Sequence, residues 1–501
     1  MKEYVVVIDR GSTNVKAVAF DTKGNEVFTS ACASQKPVSV RPGWWEQDMQ
    51  IIWENTASAI RGIFKGGILP EEVIGVFAVG QGNGMMPIDK NGNPSRMGIL
   101  SLDSRAKGIH DEWTMDGRYS QAIEKLVFPF VVGSPVTLLA WFKENAPDDF
   151  KAIDKVLFSK DWIRYKLSGT ICTDPSDASG AGLMDPRKNT YAEDVFELLG
   201  LEDIKDKLPE IRPSHEVVGR VTKEAARATG LKEGTPVMCG AHDIAAYPFG
   251  IGSMDSKELV TVVGTWGFSV VPVTSLEGMF MAYYHTFPGY FLTGIGDGNS
   301  GGCLDIIINN LCEYEKELAI RNGISVYEYI EDMIENTKTT GILFHPFVFG
   351  NIFFGSASGC LYGIRNWHTK ADIMRAVYEG IVMRYHSNMK LIPGSANFES
   401  MWLIGGGAKS KIFGQIFADV TGLSVKVPKP YEITARGGAM NALIGLGRYK
   451  NHQEACIQPE IKTVYHPNPE MKAYYQKKSA AYQQIFDNNM QIWDTLSQLN
   501  G

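Results

Sequence analysis

Two aspartates in this chain close short apolar runs, and the residues after each of them suit work on a phosphate or a hydroxyl. The first lies in YVVVIDRGSTNVKAVAFD, residues 4–21, where Val5, Val6, Val7 and Ile8 read as a buried strand that stops at Asp9. Gly11, Ser12, Thr13 and Lys16 come next. Asn-Gly or Asp-Gly would close a plain hairpin more simply. This turn instead gathers backbone N–H groups, hydroxyl donors and a carboxylate, the mixture that holds a metal-bound polyphosphate. The plainer alternative is an edge hairpin in which Asp9 and Thr13 only satisfy turn amides.

The second aspartate, Asp243, comes after the apolar run at 237–239 within GAHD and leads into a small-residue helix predicted over 244–249. A strand end feeding a helix N-terminus is where α/β folds place reactive groups. The neighbouring His242 is read as a packed or solvent-facing histidine and not as a second base, because alternation along the chain points it away from Asp243.

Other residues supply recognition chemistry. A strand predicted over 74–79 runs into GQGNG, where Gly82 allows close approach and the amides of Gln81 and Asn83 both donate and accept, as a polyhydroxylated neutral molecule requires. Trp44 and Trp45 sit in the extended PGWWEQD, where one covers the core and the other is free to line a pocket, or both are core aromatics. Asp103 in LDSRA is a sugar contact or a structural ion bridge to Arg105.

The pattern restarts after residue 258. A strand over 259–263, the turn GTWG with Gly264 and Thr265, and a returning strand over 268–273 repeat the opening hairpin. A strand over 401–404 then ends in GGGAKS, where Gly406, Gly407 and Ala408 offer a nucleotide base a flat surface. Two such halves suggest duplication, with a nucleotide held between them. The opening turn returns as a strand and not as a helix, and neither Gly-x-x-x-x-Gly-Lys nor Gly-x-Gly-x-x-Gly occurs in it, which excludes the P-loop and the dinucleotide fingerprint there.

Around these residues the sequence predicts a third strand over 26–33 and a helix over 49–65 capped by Asp48. A largely helical region extends over 117–210. Within it TDPSDASGAGLMD, 173–185, is rich in turn formers and reads as a surface loop. Helices are expected over 371–391, 411–421, 432–447 and 469–489, the third made of small residues able to pack closely on another backbone.

Composition sets outer bounds. With 501 residues, 44% apolar and 21% charged, the chain is an ordinary globular protein of two to four domains. A formal charge of -7 gives no general attraction to nucleic acid. Lys2 and Glu3 lead directly into a strand without a signal peptide, and the most apolar window, 341–364, is too interrupted to span a membrane. Seven cysteines without a CxxC pair suit a reducing, cytoplasmic setting, and no His/Cys cluster suggests a resident transition metal.

Taken together, DRGSTNVK (9–16), PGWWEQD (42–48), GQGNG (80–84), LDSRA (102–106), TDPSDAS (173–179), CGAHD (239–243), VGTWG (263–267) and GGGAKSKIFGQIFADVTG (405–422) resemble the FGGY family of carbohydrate kinases. That family lies in the superfamily of actin, hexokinase and the heat-shock chaperone ATPases. The stretches GQGNGMMPIDKNGNP and SPVTLLAWFKENAP look most like the branch acting on L-xylulose and 3-keto-L-gulonate, with erythritol-type kinases also similar. Leu138, Ser101 and residues 350–352 depart from the usual pattern, at positions that bear on the sugar more than on the chemistry.

The resemblance implies an α/β fold of two ribonuclease-H-like domains with a central cleft, divided at 248/249, the first holding sugar and base and the second ATP. It implies phosphorylation of a ketose or polyol hydroxyl, with Asp243 as general base and Asp9 on Mg²⁺. Gly11, Ser12, Thr13, Lys16, Gly264, Thr265, Gly406, Gly407 and Ala408 would bind ATP. Gln81, Gly82, Asn83, Asp103 and Trp44 would bind the sugar. A homodimer is the default expectation. The rival classes are a nucleotide-switched binding protein and a sugar-sensing protein without turnover, and the GQGNG loop converging with Asp243 favours the kinase.

Overall fold

The computed structural model describes residues 2–11, 13–337, 339–351, 356–430 and 432–500, so Ser12 and Ile352 lie outside the described residues. The chain forms two compact units, Met1–Met254 with Pro272–Thr293 and Glu432–Pro459, and Asp255–Val271 with Gly294–Tyr431 and Glu460–Gly501. The sequence division at 248/249 differs from this. Residues 432–459 belong with the first unit because their helix packs on the first sheet.

In the first unit the strands run in the order Val217–Arg220, Pro236–Met238, Val73–Gly80, Tyr4–Arg10, Asn14–Asp21 and Glu26–Ala33, and Ala241–His242 also pairs with Val73–Gly80. Tyr4–Arg10 is antiparallel to Asn14–Asp21 and parallel to Val73–Gly80. Val5 to Ile8 are fully buried on both faces, which is why they read as an unbroken apolar run. Val6 and Ile8 meet Ile52, Ile60 and Ile63 of the helix Met49–Ile63, while Val5 and Val7 meet Ala435, Ala439 and Leu443 of Ile433–Gly445.

That second helix lies almost backbone to backbone with the helix Asp243–Ile251. A Cβ on Gly437 would come within 1.9 Å of Ala246 O, and one on Gly250 within 2.1 Å of Ile433 O. Arg436, also buried, donates from Nε to Gly24 O at 3.0 Å and from Nη1 to Gly250 O. The helix bearing Asp243 is thereby fixed on the sheet.

The second unit repeats the plan. Its order is Phe291–Asp297, Gly267–Val273, Glu258–Val263, Ser400–Ile404, Ser424–Pro428 and Ile461–Tyr465. Again a hairpin precedes a parallel pair and an antiparallel edge strand, as duplication requires.

One expectation is corrected. Residues 173–185 are not a surface loop: all of them are buried, and Pro175–Gly180 is a short helix. Asp174 Oδ2 accepts from Ser176 Oγ at 2.6 Å and from Ser214 Oγ at 2.7 Å, so protein hydroxyls serve this buried carboxylate.

Gly437→Ala should destabilise the protein by about 1–3 kcal/mol in chemical denaturation, the cost of overpacking. Gly108→Ala, where a Cβ meets nothing within 4 Å, should be neutral or stabilising by up to about 1 kcal/mol in the same assay.

Candidate active site

Three parallel strands of the first unit end level with one another. Asp9 pairs with Val79 and Arg10 with Gly80, while Ala241 pairs with Val79 and His242 with Gly80. Asp9, the 80–84 turn and Asp243 therefore emerge at one sheet edge.

Burial pushes the Asp9 carboxyl up to about 6 against the pull of Lys16, and Glu432 adds to the rise. Lys16 Nζ lies 2.8 Å from both oxygens of Glu432, so its charge is shared with a protein partner. Gly11 N donates to Asn14 O at 3.1 Å and closes the turn, on which Thr13 stands exposed. Arg10, which no sequence signal singled out, runs inward from this hairpin. It is 1% exposed and donates to Gln47 Oε1 at 2.6 Å and to Gly11 O.

Asp243 opens its helix with one-third of its side chain exposed, and Oδ1 accepts from Ile244 N at 2.7 Å. Burial pushes its carboxyl up to about 6, His242 opposing and Asp9 reinforcing the shift. Of the two placements open to it, His242 takes the packed one, yet alternation does not carry it away. Its ring folds back as a helix cap, Nδ1 accepting from Ile244 N at 3.0 Å and lying 3.1 Å from Asp243 Oδ1.

The amide turn is held rigidly. Asn83 takes a left-handed φ of 59°, a conformation that asparagine tolerates, and its Oδ1 accepts from Ser134 Oγ at 2.9 Å. Gly84 has φ 65° and approaches Ile99 O so closely that a Cβ would lie 2.3 Å from it. Gln81 is anchored by its own N–H on Arg10 O at 3.3 Å.

Trp44 is half-buried, edge-on to Trp141 at 5.1 Å between ring centroids, with the Arg105 guanidinium 4.2 Å from its ring. Asp103 is 1% exposed, and its carboxylate is fully used. Oδ1 takes Arg105 N and Nε, and Oδ2 takes Trp45 N and Arg105 Nη2. Four donors fill a carboxylate's lone pairs, so of the two readings of Asp103 the geometry fits the ion bridge, and it acts on the pocket by holding Arg105 beneath Trp44.

In the second unit Val262 pairs with Ile404, which brings the GTWG turn beside the glycine turn. Gly405, at φ 85°, sits so near Val263 O that a Cβ would be 2.8 Å away. Gly264 O and Thr265 O accept from Gly301 N at 2.9 Å and Gly302 N at 3.1 Å. Tyr385 Oη donates to Val262 O at 2.8 Å and accepts from Ser300 Oγ at 2.6 Å. Gly264, Thr265, Gly406 and Gly407 share this edge. Ala408, 7% exposed, turns inward and adds no open surface.

Two ribonuclease-H-like units, one with paired carboxyls at its strand ends and the other with paired glycine turns, define the architecture of an ATP-dependent phosphotransferase. The family models for the N-terminal and C-terminal domains of the FGGY family of carbohydrate kinases match residues 4–250 and 259–446. The chain is 30% identical over 504 residues to the L-xylulose/3-keto-L-gulonate kinase of Escherichia coli K12, covering 97% of each chain. It is 29% identical to a probable L-xylulose kinase of Pasteurella multocida, over 96% of this chain and 98% of that one. The crystal structure of a xylulose kinase from Lactobacillus acidophilus superposes with a TM-score of 0.88 at 21% identity, over 99% of this chain and 100% of that one. This protein belongs to the FGGY family of carbohydrate kinases. It is a carbohydrate kinase using ATP, which disfavours the switch and sensor alternatives.

The carboxylate form of Asp243, the form that accepts a proton, is gained only as pH rises through about 6. The kcat/KM for sugar should therefore fall on the acid side with an apparent pKa near 6, shared between Asp243 and Asp9. Activity that stays flat down to about pH 4.5 would contradict this.

Proposed function

We propose that the chain phosphorylates a hydroxyl of a small ketose, with L-xylulose and 3-keto-L-gulonate as the first candidates by similarity to the Escherichia coli kinase. The observation that supports it most is the convergence of Asp9, the 80–84 turn and Asp243 at one sheet edge. Asp243 holds the attacking hydroxyl and accepts its proton. Phosphoryl transfer has a loose transition state, so much of this role is orientation. Gln81, Gly82 and Asn83 bind the sugar, Trp44 walls the pocket, and Asp103 acts through Arg105.

Among the described residues no group of three or more His, Cys, Asp or Glu side chains is placed to hold a metal ion. The poorly solvated carboxyl of Asp9 would instead help to hold a magnesium ion that comes with the nucleotide's phosphates. Such an ion would neutralise charge on the β- and γ-phosphates. Gly11, Ser12, Thr13, Gly264 and Thr265 donate to phosphate oxygens, Lys16 steadies its loop through Glu432, and Gly406 and Gly407 face the nucleotide base, with Ala408 packed behind them. No described helix is long and apolar enough to cross a membrane. The seven unpaired cysteines support a cytoplasmic setting, and a homodimer is the default expectation.

A coupled assay with ATP and a panel of pentuloses, hexuloses and tetritols should find at least one good acceptor. On that acceptor Asp243→Asn should lower kcat by about 100- to 10,000-fold with little change in the KM for ATP. Turnover within about 3-fold of wild type would remove Asp243 from this role. Asp9→Asn should raise the magnesium concentration needed for half-maximal rate, and an unchanged requirement would contradict its assignment.

A further inference from the structure

In the second unit an indole stands uncovered at the end of the turn proposed to hold phosphate. Trp266 is 51% exposed, next to the exposed Thr265, although a side chain of its size is among those that gain most from burial. It is not loose. The far edge of its six-membered ring lies along Gly298, where a Cβ would come within 3.3 Å of Cη2, and the following Gly267 lies so near Tyr385 that a Cβ would fall 1.9 Å from Oη. Tyr385 also binds Val262 O and Ser300 Oγ, so both arms of the turn rest on one tyrosine.

The neighbouring segment completes an open apolar rim. The first two N–H groups of the helix Gly301–Leu311 are taken by Gly264 O and Thr265 O. Phe349, 54% exposed, is fastened beside them: its N–H donates to Asn299 Oδ1 at 3.1 Å, and Asn299 Nδ2 donates to Gly350 O at 2.7 Å. A Cβ on Gly302 would lie 3.2 Å from Thr265 Cγ2 and 3.5 Å from Phe349 Cε2. The methyl of Thr265 thus faces Gly302, while its hydroxyl has no hydrogen-bond partner among the described residues.

The order of parts along this edge sets the direction of a nucleotide. Gly405 and Gly407 pack on Val263, with Cβ positions 2.8 Å from its O and 2.3 Å from its Cγ1, and Gly264, Thr265 and Trp266 follow in turn. With the base at Gly406 and Gly407 and the phosphates at Gly264 and Thr265, the indole lies beyond the phosphates, at the terminal one. An apolar ring brings no charge to that place. What it brings is bulk where water would otherwise stand. Water and a sugar hydroxyl compete in one displacement: either oxygen bonds to the γ-phosphorus as the bond to ADP breaks, and the attacking O–H gives up its proton.

We propose that Trp266 covers the γ-phosphate of bound ATP and keeps water from it, so that the phosphoryl group passes to the sugar and not to solvent. Phe349 walls the same space. This rests on the assignment of Gly264 and Thr265 to the phosphates.

The test measures ATP hydrolysis without sugar, and phosphorylation of the accepted sugar, in wild type, Trp266→Ala and Trp266→Phe. Trp266→Ala should raise the ratio of hydrolysis to transfer by about 10-fold or more with the KM for ATP changed by less than about 3-fold, and Trp266→Phe, which keeps a ring, should hold the wild-type ratio to within about 3-fold. A ratio in Trp266→Ala within about 2-fold of wild type overturns the inference. A second readout needs only the phenylalanine variant. Tryptophan emission of the wild type should change when Mg²⁺ and a non-hydrolysable ATP analogue are added, and Trp266→Phe should lose most of that change; an equal change in both overturns the inference. Thr265→Ala keeps the two failures apart. If it leaves kcat and the KM for ATP unaltered, the phosphate assignment itself falls, whereas a damaged Thr265→Ala beside an unchanged ratio in Trp266→Ala removes the inference alone.

Discussion

The register of the strands in the first sheet is the constraint that sets the site. Tyr4–Arg10, Val73–Gly80 and Ala241–His242 are parallel, and their pairings place Arg10, Gly80 and His242 at one level. Side chains alternate between faces, so a slip of one residue would turn the buried valines of Tyr4–Arg10 and Val73–Gly80 to the wrong layer. Packing on both faces thus holds the strands to a common end. Polar residues begin only where that packing stops, which is why one short stretch of edge holds Asp9, an amide turn and Asp243.

What keeps this edge rigid is close packing on one side and buried charge on the other. Gly437 and Gly250 let the helix of Asp243 lie against its neighbour with no side chain between. Ser176 Oγ accepts from His242 N at 2.9 Å and donates to Asp174, which Lys160 meets in turn. Charges so deeply placed cost several kcal/mol each to take out of water, and the cluster persists because ion pairs and hydroxyls replace their hydration. That expense is difficult to rationalise as stabilisation alone. It is consistent with fixing the strand end on which Asp243 stands.

Much of this was legible in the sequence because the governing signals are local. Val5 to Ile8 announce a doubly buried strand, and the same order of elements returns after residue 258. What was hidden depends on partners far along the chain. Residues 173–185 look solvated, yet their hydroxyls and carboxyls face Lys160 and Ser214, which no local pattern reveals. Asp103 carries the same side chain whether it meets a sugar or Arg105. The helix Ile433–Gly445 lies late in the chain but belongs to the first unit, because its small residues fit the first sheet.

The claim at the centre is that the carboxylate at position 243 receives the substrate's hydroxyl. The most direct measurement is a crystal structure with the accepted sugar and a non-hydrolysable ATP analogue. The acceptor hydroxyl should lie roughly 2.6–3.2 Å from an Asp243 oxygen. A sugar bound with every hydroxyl beyond hydrogen-bond reach of that carboxylate would contradict the account.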